Sequence, residues 1–330
     1  MKKLILVVPS AVGALVVVSI SLLITGCFFA GLMALLLALI LNESSETFAY
    51  KGFHKTEGNL DFKILTFNVN RAYEFSKNKG NSHELLHAIL QHNPDIILLQ
   101  EFNSSLYPEI YEKLVKEYPY GGGKDSSSRF KSVFSRFPID SANQLCVDED
   151  DKRFLLFRSE LYPRVSCNGK HVLPICKMLI DINGYKIQVF NCHLMSNNLS
   201  VELRNIRDKK NSLISGLFSV LRRFDYGYEC RELQMEIVKE NVDNRIPVIV
   251  CGDFNDIGGS SVIQNLEKVG FKDVWWQSGF GLGHTFHGLG LRFRLDHILY
   301  SSNNLKAIMA NVIETKASDH LPLIASFTFG

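Results

Sequence analysis

An α+β domain of two packed sheets with helices outside is the fold this sequence predicts. Two observations carry that reading. Short apolar runs bounded by turn residues recur from Asp61 onward, and helical patterns are interleaved with them. In addition, Asn183-Gly184 separates Met178–Ile182 from Tyr185–Phe190, the signature of a tight hairpin.

Taken in order, Phe62–Asn68 is a strand, and Ser82 caps a helical pattern through Leu85, Leu86, Ile89 and Leu90, with Pro94 beyond its end. Asp95–Glu101 is a second strand and Leu106–Tyr118 a second helix. The stretch from Gly121 to Ser128 reads as a loop by composition. Strands follow at Phe130–Phe137, stopped by Pro138, and at Phe154–Leu161, after the acidic loop Asp148–Asp151. Beyond the Asn-Gly hairpin, Glu202–Arg223 and Arg231–Val242 read as two long helices and Ser261–Val269 as a shorter one. Pro247–Gly252 is a buried run between them, and Leu295–Tyr300 and Leu323–Phe329 are the last two strands.

The first fifty residues differ from the rest. No charged residue lies between Leu4 and Leu41, whereas a bilayer span needs only about 20 apolar residues. The sequence therefore divides into a transmembrane anchor over 1–41, a polar linker over 42–60 and a catalytic domain over 61–330. The anchor reads as one helix or as a hairpin of Ile5–Leu23 and Phe28–Leu41 turning at Thr25-Gly26-Cys27. A secretory signal over Leu4–Leu23 and a lipidated Cys27 compete with it. Lys2 and Lys3 favour a cytoplasmic N-terminus, so one span would place the domain outside and a hairpin would return it inside.

At 330 residues with 46% hydrophobic content and a net charge of +2, the chain has no global pull on polyanions. Among seven cysteines no pair has Cys-x-x-Cys spacing, which speaks against a structural zinc site. Cys192 and Cys251 sit in strand patterns as buried thiols, while Cys146, Cys167, Cys176 and Cys230 lie in looser surroundings that would allow pairing in an oxidising space.

Polar residues close the apolar runs. Asn68 and Glu101 end two of them, His193 ends Ile187–Cys192, and Asp253 and Asn255 follow Pro247–Gly252. Asp296 opens Asp296–Tyr300, and Asp319-His320 precedes Leu321–Ala325. Buried strands deliver such residues to one rim of a sheet. Carboxylates and amide oxygens suit Mg²⁺, which takes oxygen ligands and keeps several waters. On this reading Glu101 is the main metal ligand and Asn68 contributes its amide oxygen, although a strand-end acid paired with a lysine would explain Glu101 as well. Asp253 suits orientation of a water, Asn255 a phosphate oxygen, and His193 a phosphate contact. An acid beside an imidazole fixes its tautomer, and either Asp319 or Asp296 can do this for His320.

The motifs Thr66-Phe67-Asn68-Val69, Leu99-Gln100-Glu101, Asn191-Cys192-His193-Leu194, Gly252-Asp253-Phe254-Asn255, Leu295-Asp296-His297-Ile298 and Ser318-Asp319-His320-Leu321-Pro322 stand in one order along the chain. Together they resemble the endonuclease/exonuclease/phosphatase superfamily, which includes deoxyribonuclease I, abasic-site endonucleases, neutral sphingomyelinases and inositol polyphosphate 5-phosphatases. The resemblance implies a four-layer αββα sandwich with its site at one end of the paired sheets. It implies Mg²⁺, or Mn²⁺, held by Asn68 and Glu101, with Asp319 completing the metal or histidine environment. Asp253 would position or deprotonate water, Asn255 and His193 would bind the phosphate, and His320, oriented by Asp296, would act as base or phosphate contact.

The implied function is hydrolysis of a phosphodiester or phosphomonoester in nucleic acid or a phospho-headgroup, at a membrane reached through residues 4–41. A catalytically silent phosphate-binding module is the alternative. Arg292 and Arg294 are read as phosphate contacts or solvated charges, and Arg204, Arg207, Lys209, Lys210, Arg222 and Arg223 as a basic helical region. Trp275 and Trp276 are read as core, with the Thr285-Phe286 pair near the site.

Overall fold

A computed structural model describes residues 15–20, 33–38, 49, 60–70, 82–123, 132–148, 151, 153, 166–167, 170–197, 213–288, 291–301 and 304–330. The fold is built on two mixed sheets. The first has the order β14-β15-β1-β2-β4-β3, with β1 Phe62–Asn68, β2 Ile96–Gln100, β3 Tyr120–Gly121, β4 Val133–Ser135, β14 Leu305–Val312 and β15 Leu323–Phe329. The second runs β10-β13-β9-β8-β7-β5, with β5 Ile139–Asp148, β7 Lys170–Ile182, β8 Tyr185–His193, β9 Val248–Asp253, β10 Phe271–Asp273 and β13 Asp296–Ser301; β6, Ser166–Cys167, pairs with β7. A small hairpin, β11 Phe286–Gly288 and β12 Leu291–Phe293, stands apart from both.

Alternation along the strands separates the layers. Phe62 and Ile64 of β1, Ile96 and Leu98 of β2, Val189 of β8, Ile249 and Cys251 of β9 and Ile298 of β13 share one buried cluster between the sheets. Leu65, Phe67, Ile97 and Leu99 point the other way and pack under α1 (Ser82–Leu90) and α2 (Pro108–Glu117). Phe190, Cys192, Val248 and Val250 pack under α3 (Leu213–Glu240) and α4 (Ser261–Glu267). Both faces of each sheet are covered, so β9 is buried at every position. The layers run helix, sheet, sheet, helix, as expected. A fifth helix, α5 (Val274–Ser278), buries Trp275 and Trp276 in the inter-sheet core.

Topology then decides which ends meet. β1 pairs parallel with β2, and β8 parallel with β9, so each pair finishes at the same edge. Parallel neighbours require a crossover, which α1 and α3 supply. β13 and β15 run antiparallel to β9 and β1, so their starts lie at that same edge.

Several elements differ from the sequence reading. The two long helices are continuous from Leu213 to Glu240, and the glycine between them, Gly227, stands where a Cβ would meet Asn197 and Arg231. β5, β10, β14 and the β11/β12 hairpin were not expected; β5 in particular has exposed polar residues at alternate positions and no apolar run. β7 begins at Lys170, eight residues before the expected start, and carries Pro174 where the β5 register shifts. Of Phe130–Phe137 only the centre is a strand, and Phe154–Leu161 and Glu202–Ser212 lie outside the described residues. Among the described residues, Cys176, Cys192, Cys230 and Cys251 are buried free thiols, and Cys146 is exposed.

Most of the predicted anchor lies outside the described residues as well. Those described, 15–20 and 33–38, are helical, and no helix among the described residues is long and apolar enough to cross a membrane. The predicted linker is not wholly separate from the domain. Ala49 is fully buried in the inter-sheet core and exchanges two backbone hydrogen bonds with Gly281, 3.0 and 2.8 Å.

One position before the rim shows how tightly the edge is built. Gly252 has φ +136°, and a Cβ there would lie 1.9 Å from the carbonyl oxygen of Cys192 on β8. Gly252→Ala is expected to cost about 3 kcal/mol or more of stability. Urea unfolding of the variant checks this, and a midpoint equal to wild type would show that β8 can yield.

Candidate active site

Four of the predicted residues arrive at the shared edge for one reason: each keeps the parity of an inward-facing neighbour. Asn68 continues Ile64 and Thr66; His193 continues Val189 and Asn191; Asp253 continues Ile249 and Cys251; Asp296 precedes Ile298. Register places Asp253 between His193 on β8 and Asp296 on β13. Glu101 follows β2, and His320 precedes β15.

Across the gap between the sheets, Asn68 Nδ2 donates to Asp253 Oδ2 at 2.9 Å and reaches Glu101 Oε1 at 3.4 Å. His193 Nε2 lies 3.8 Å from Glu101 Oε1 and 3.7 Å from Asp253 Oδ2. His320 Nε2 is also 3.7 Å from Asp253 Oδ2, and its Nδ1 is 2.8 Å from Asp296 Oδ2. Asp296, rather than Asp319, is therefore the partner that orients His320. Ligand atoms of Asp253, Asp296 and His320 all fall within 4.8 Å of one another.

Asn255 and Asp319 stand at the margin. The Asn255 backbone N–H donates to Asp253 Oδ1, and its Nδ2 donates to Leu194 O at 3.0 Å. Asp319 is half-buried beside His320, and its carbonyl accepts from His287 N–H. Asn68 differs from expectation in one respect. Its Oδ1 accepts from Asn70 N–H at 2.9 Å while its nitrogen faces the two carboxylates, so ligation through oxygen requires the amide to turn.

Supporting residues lock these side chains. Thr285 Oγ1 accepts from the N–H groups of Leu295 and Asp296, each at 3.0 Å, and Phe286 lays its ring 4.9 Å from that of His320. Ser318 Oγ donates to Asn68 O and accepts from His320 N–H. Sequence reasoning anticipated the Thr-Phe pair but not Ser318, although it stands within one of the motifs. Arg294 fits neither reading made for it: it is 6% exposed and pairs with Asp273 at 2.5 Å, away from solvent. Arg292 is exposed, and most of the basic helical region lies outside the described residues.

Among the described residues, Glu101 is the one residue other than asparagine and glycine with a positive φ. Glu101 has φ +57° and Asn255 φ +50°. Asparagine tolerates the left-handed region; glutamate does so only at a cost. Glu101 is 30% exposed, and among the described residues no lysine or arginine pairs with Glu101, Asp253 or Asp296. The lysine-paired alternative for Glu101 thus has no partner to support it. An open carboxylate beside buried ones is a donor set that fits a hard divalent cation.

Electrostatics separate the two histidines. Burial works to strip the proton from His320, but the carboxylates of Asp296, Asp253 and Asp319 outweigh it and raise its pKa to about 10. Burial raises Asp296, and the charge of His320 opposes that rise. His320 is thus an imidazolium at neutral pH, with Nδ1 committed to Asp296 and Nε2 facing the site.

The family's sequence profile, the Endonuclease/Exonuclease/phosphatase family, matches residues 65–320. The chain belongs to this family. It is accordingly an enzyme of the phosphoesterase kind, and solved structures share its fold. An endonuclease/exonuclease/phosphatase family protein from Bacteroides thetaiotaomicron matches with TM-score 0.56 and 17% identity over 82% of this chain and 98% of that one. A mannosyl-6-phosphatase of the same organism matches with TM-score 0.55 and 16% identity over 81% and 100%. D. rerio TDP2 in complex with a single-strand DNA product matches with TM-score 0.51 and 16% identity over 81% and 98%. No curated protein is similar enough in sequence to match.

Two outcomes are expected of this geometry. Glu101→Gly should be more stable than Glu101→Ala by about 1 kcal/mol, because only glycine relieves the left-handed backbone; equal unfolding midpoints would remove the strain assignment. For His320 the folded pKa lies above the ordinary imidazole value of 6.5, so its contribution to stability is complete below about pH 6.5 and is lost as pH rises through about 10. The stability gap between wild type and His320→Gln should therefore be widest near pH 6 and narrow toward pH 10. A gap that widens with pH would reverse the assignment.

Proposed function

We propose that the protein is a membrane-anchored, Mg²⁺-dependent hydrolase that cleaves a phosphodiester, or a phosphomonoester, by in-line attack of water. Convergence of Asn68, Glu101, His193, Asp253, Asp296 and His320 within hydrogen-bond and ion-pair distance is the observation that carries the reading. Glu101, with Asn68 once its amide turns and Asp319 at the margin, would hold Mg²⁺; the ion would supply positive charge to the nonbridging phosphate oxygens. Mn²⁺ meets the same oxygen donors.

The chain's own residues do the rest. Asp253, held through Oδ1 by the Asn255 N–H, presents a carboxylate that orients the attacking water and accepts its proton. His320 arrives already protonated and turns Nε2–H toward the phosphate, so it serves as a donor there rather than as the base. His193, between Glu101 and Asp253, donates to the same group. Asn255 has one amide hydrogen committed to Leu194 O and a second left for a phosphate oxygen. Such fixed donors act on charge that develops during attack. The products are a phosphomonoester and an alcohol, or inorganic phosphate from a monoester; the substrate is a nucleic acid or a phospho-headgroup.

Anchoring is supported by the uncharged run from Leu4 to Leu41 and by the way its described residues are arranged. Val17, Ile20 and Leu36 are 67%, 53% and 50% exposed, while the small residues Ser19 and Ala38 are 1% and 2% exposed. Large apolar groups outside and small ones inside suit helices packed in lipid.

With bis(p-nitrophenyl) phosphate, plasmid DNA and sphingomyelin as substrates, the full chain should turn over at least one with Mg²⁺. EDTA should stop the reaction, and Glu101→Ala should lower it by about 10²-fold or more. Turnover indifferent to both changes would refute the metal-assisted mechanism. Membranes carrying the protein should retain it through an alkaline carbonate wash; release would remove the anchor from the proposal.

A further inference from the structure

A second polar assembly lies behind His193 and Asp253 and centres on Arg231 of α3. This side chain is 3% exposed, and its hydrogen bonds among the described residues join two loops that leave the catalytic edge. Nε meets Asp256 Oδ2 at 3.1 Å, on the loop that follows Asp253. Nη1 donates to Met195 O at 2.9 Å and Asn197 Oδ1 at 3.0 Å, on the loop that follows His193.

The helix is shaped around these contacts. Gln234, three residues on and fully buried, accepts from Met195 N–H at 2.9 Å. Gly227, four residues before, leaves room for them: a Cβ there would stand 2.3 Å from Asn197 Oδ1 and 3.1 Å from Arg231 Nη1. On the far side, Asp256 is held from β13, because His297 Nε2 donates to its carbonyl oxygen at 3.0 Å. The two loops also touch directly, through Leu194 N–H to Asp253 O and Asn255 Nδ2 to Leu194 O.

We infer that Arg231 is a positioning residue: by clamping the 194–197 loop to the 254–257 loop it sets the separation at which His193, Asp253 and Asn255 face the phosphate. The chemistry requires arginine. Its planar guanidinium serves a carboxylate and two further oxygens on different segments from one rigid fork, whereas lysine offers a point charge that cannot span them in the same geometry. Among the described residues its hydrogen bonds go to the loops, and none goes to a reacting group. Small misplacement of groups that meet substrate is costly in rate even where the fold survives.

The kinetic side of this inference rests on the phosphodiesterase reading, so the experiment has two arms. In the first, Arg231→Gln and Arg231→Lys are compared with Met235→Ala, a buried apolar change on the same helix, all in the full chain and well below each unfolding midpoint. With bis(p-nitrophenyl) phosphate and Mg²⁺, Arg231→Gln should lose roughly 10- to 100-fold in kcat. KM and the half-saturating Mg²⁺ concentration should stay within about twofold, because Asn68 and Glu101 stand on the other sheet. Arg231→Lys should recover only part of the loss, and Met235→Ala should lose midpoint but not kcat. A kcat for Arg231→Gln within about twofold of wild type, or an equal kcat loss in Met235→Ala, overturns the inference.

The second arm needs no turnover. Amide hydrogen exchange in Arg231→Gln should rise together in 194–197 and 254–257, and Met235→Ala should leave both protected. Exchange that rises in one loop alone, or in neither, overturns the clamp; wild-type inactivity toward every phosphoester instead overturns the function proposed above.

Discussion

Two side-chain hydrogen bonds tie the sheets together at the end where the chemistry is placed. Gln100 Nε2 donates to Asn191 Oδ1 at 2.7 Å, and Asn68 Nδ2 donates to Asp253 Oδ2 at 2.9 Å. All four residues are at most 7% exposed. Elsewhere the inter-sheet space is filled by apolar groups, which are non-directional and would tolerate some sliding. Amides crossing between sheets do not, since a shift would leave buried donors unpaired at a cost of about 1–3 kcal/mol each. Gln100 also donates to Thr66 Oγ1, and Asn191 Nδ2 to Leu99 O, so the seam is fixed along both strands. The polar residues beyond it inherit that alignment, which is why Asn68 on one sheet can address Asp253 on the other.

An excess of carboxylates follows from the same placement. Glu101, Asp253, Asp296 and Asp319 crowd two imidazoles, and among the described residues no lysine or arginine joins them. In a low-dielectric rim this concentration of acid must be balanced. Part of the balance is the proton retained by His320, and on the function proposed above a divalent cation would supply the rest. Strain at Glu101 belongs to the same pattern, for an unfavoured backbone is held where it aims a carboxylate at the site and not where it would help the fold.

Sequence and structure agree best where periodicity and burial coincide. β1, β2, β8, β9, β13 and β15 are continuous apolar runs closed by polar residues, so both their existence and the site at their ends were readable from residues such as Asn68, His193 and Asp253. β5 was invisible because its outward positions are polar and its pairing with β7 is broken by two register shifts. Fusion of two helices into α3 was missed because Gly227 and its neighbours weaken the local pattern; the reason for the glycine lies in Asn197, distant in sequence. Arg294 reads as a phosphate contact or a solvated charge and Arg231 only as the start of a helix, since nothing local reveals that Asp273 and Asp256 wait for them in the interior. Pairing choices among several acids, such as Asp296 over Asp319 for His320, are likewise three-dimensional facts.

Ala49 gives the molecule a short leash. Its reciprocal bonds to Gly281 fix the backbone of the linker only eight residues after Leu41, the last residue of the apolar stretch. Fully extended, that length of chain spans about 28 Å. With Leu41 at a bilayer surface, the catalytic head would hover within one protein diameter of the lipid. It would sample a thin shell of solution, and phosphoesters confined to that shell would meet it far more often than those in the bulk.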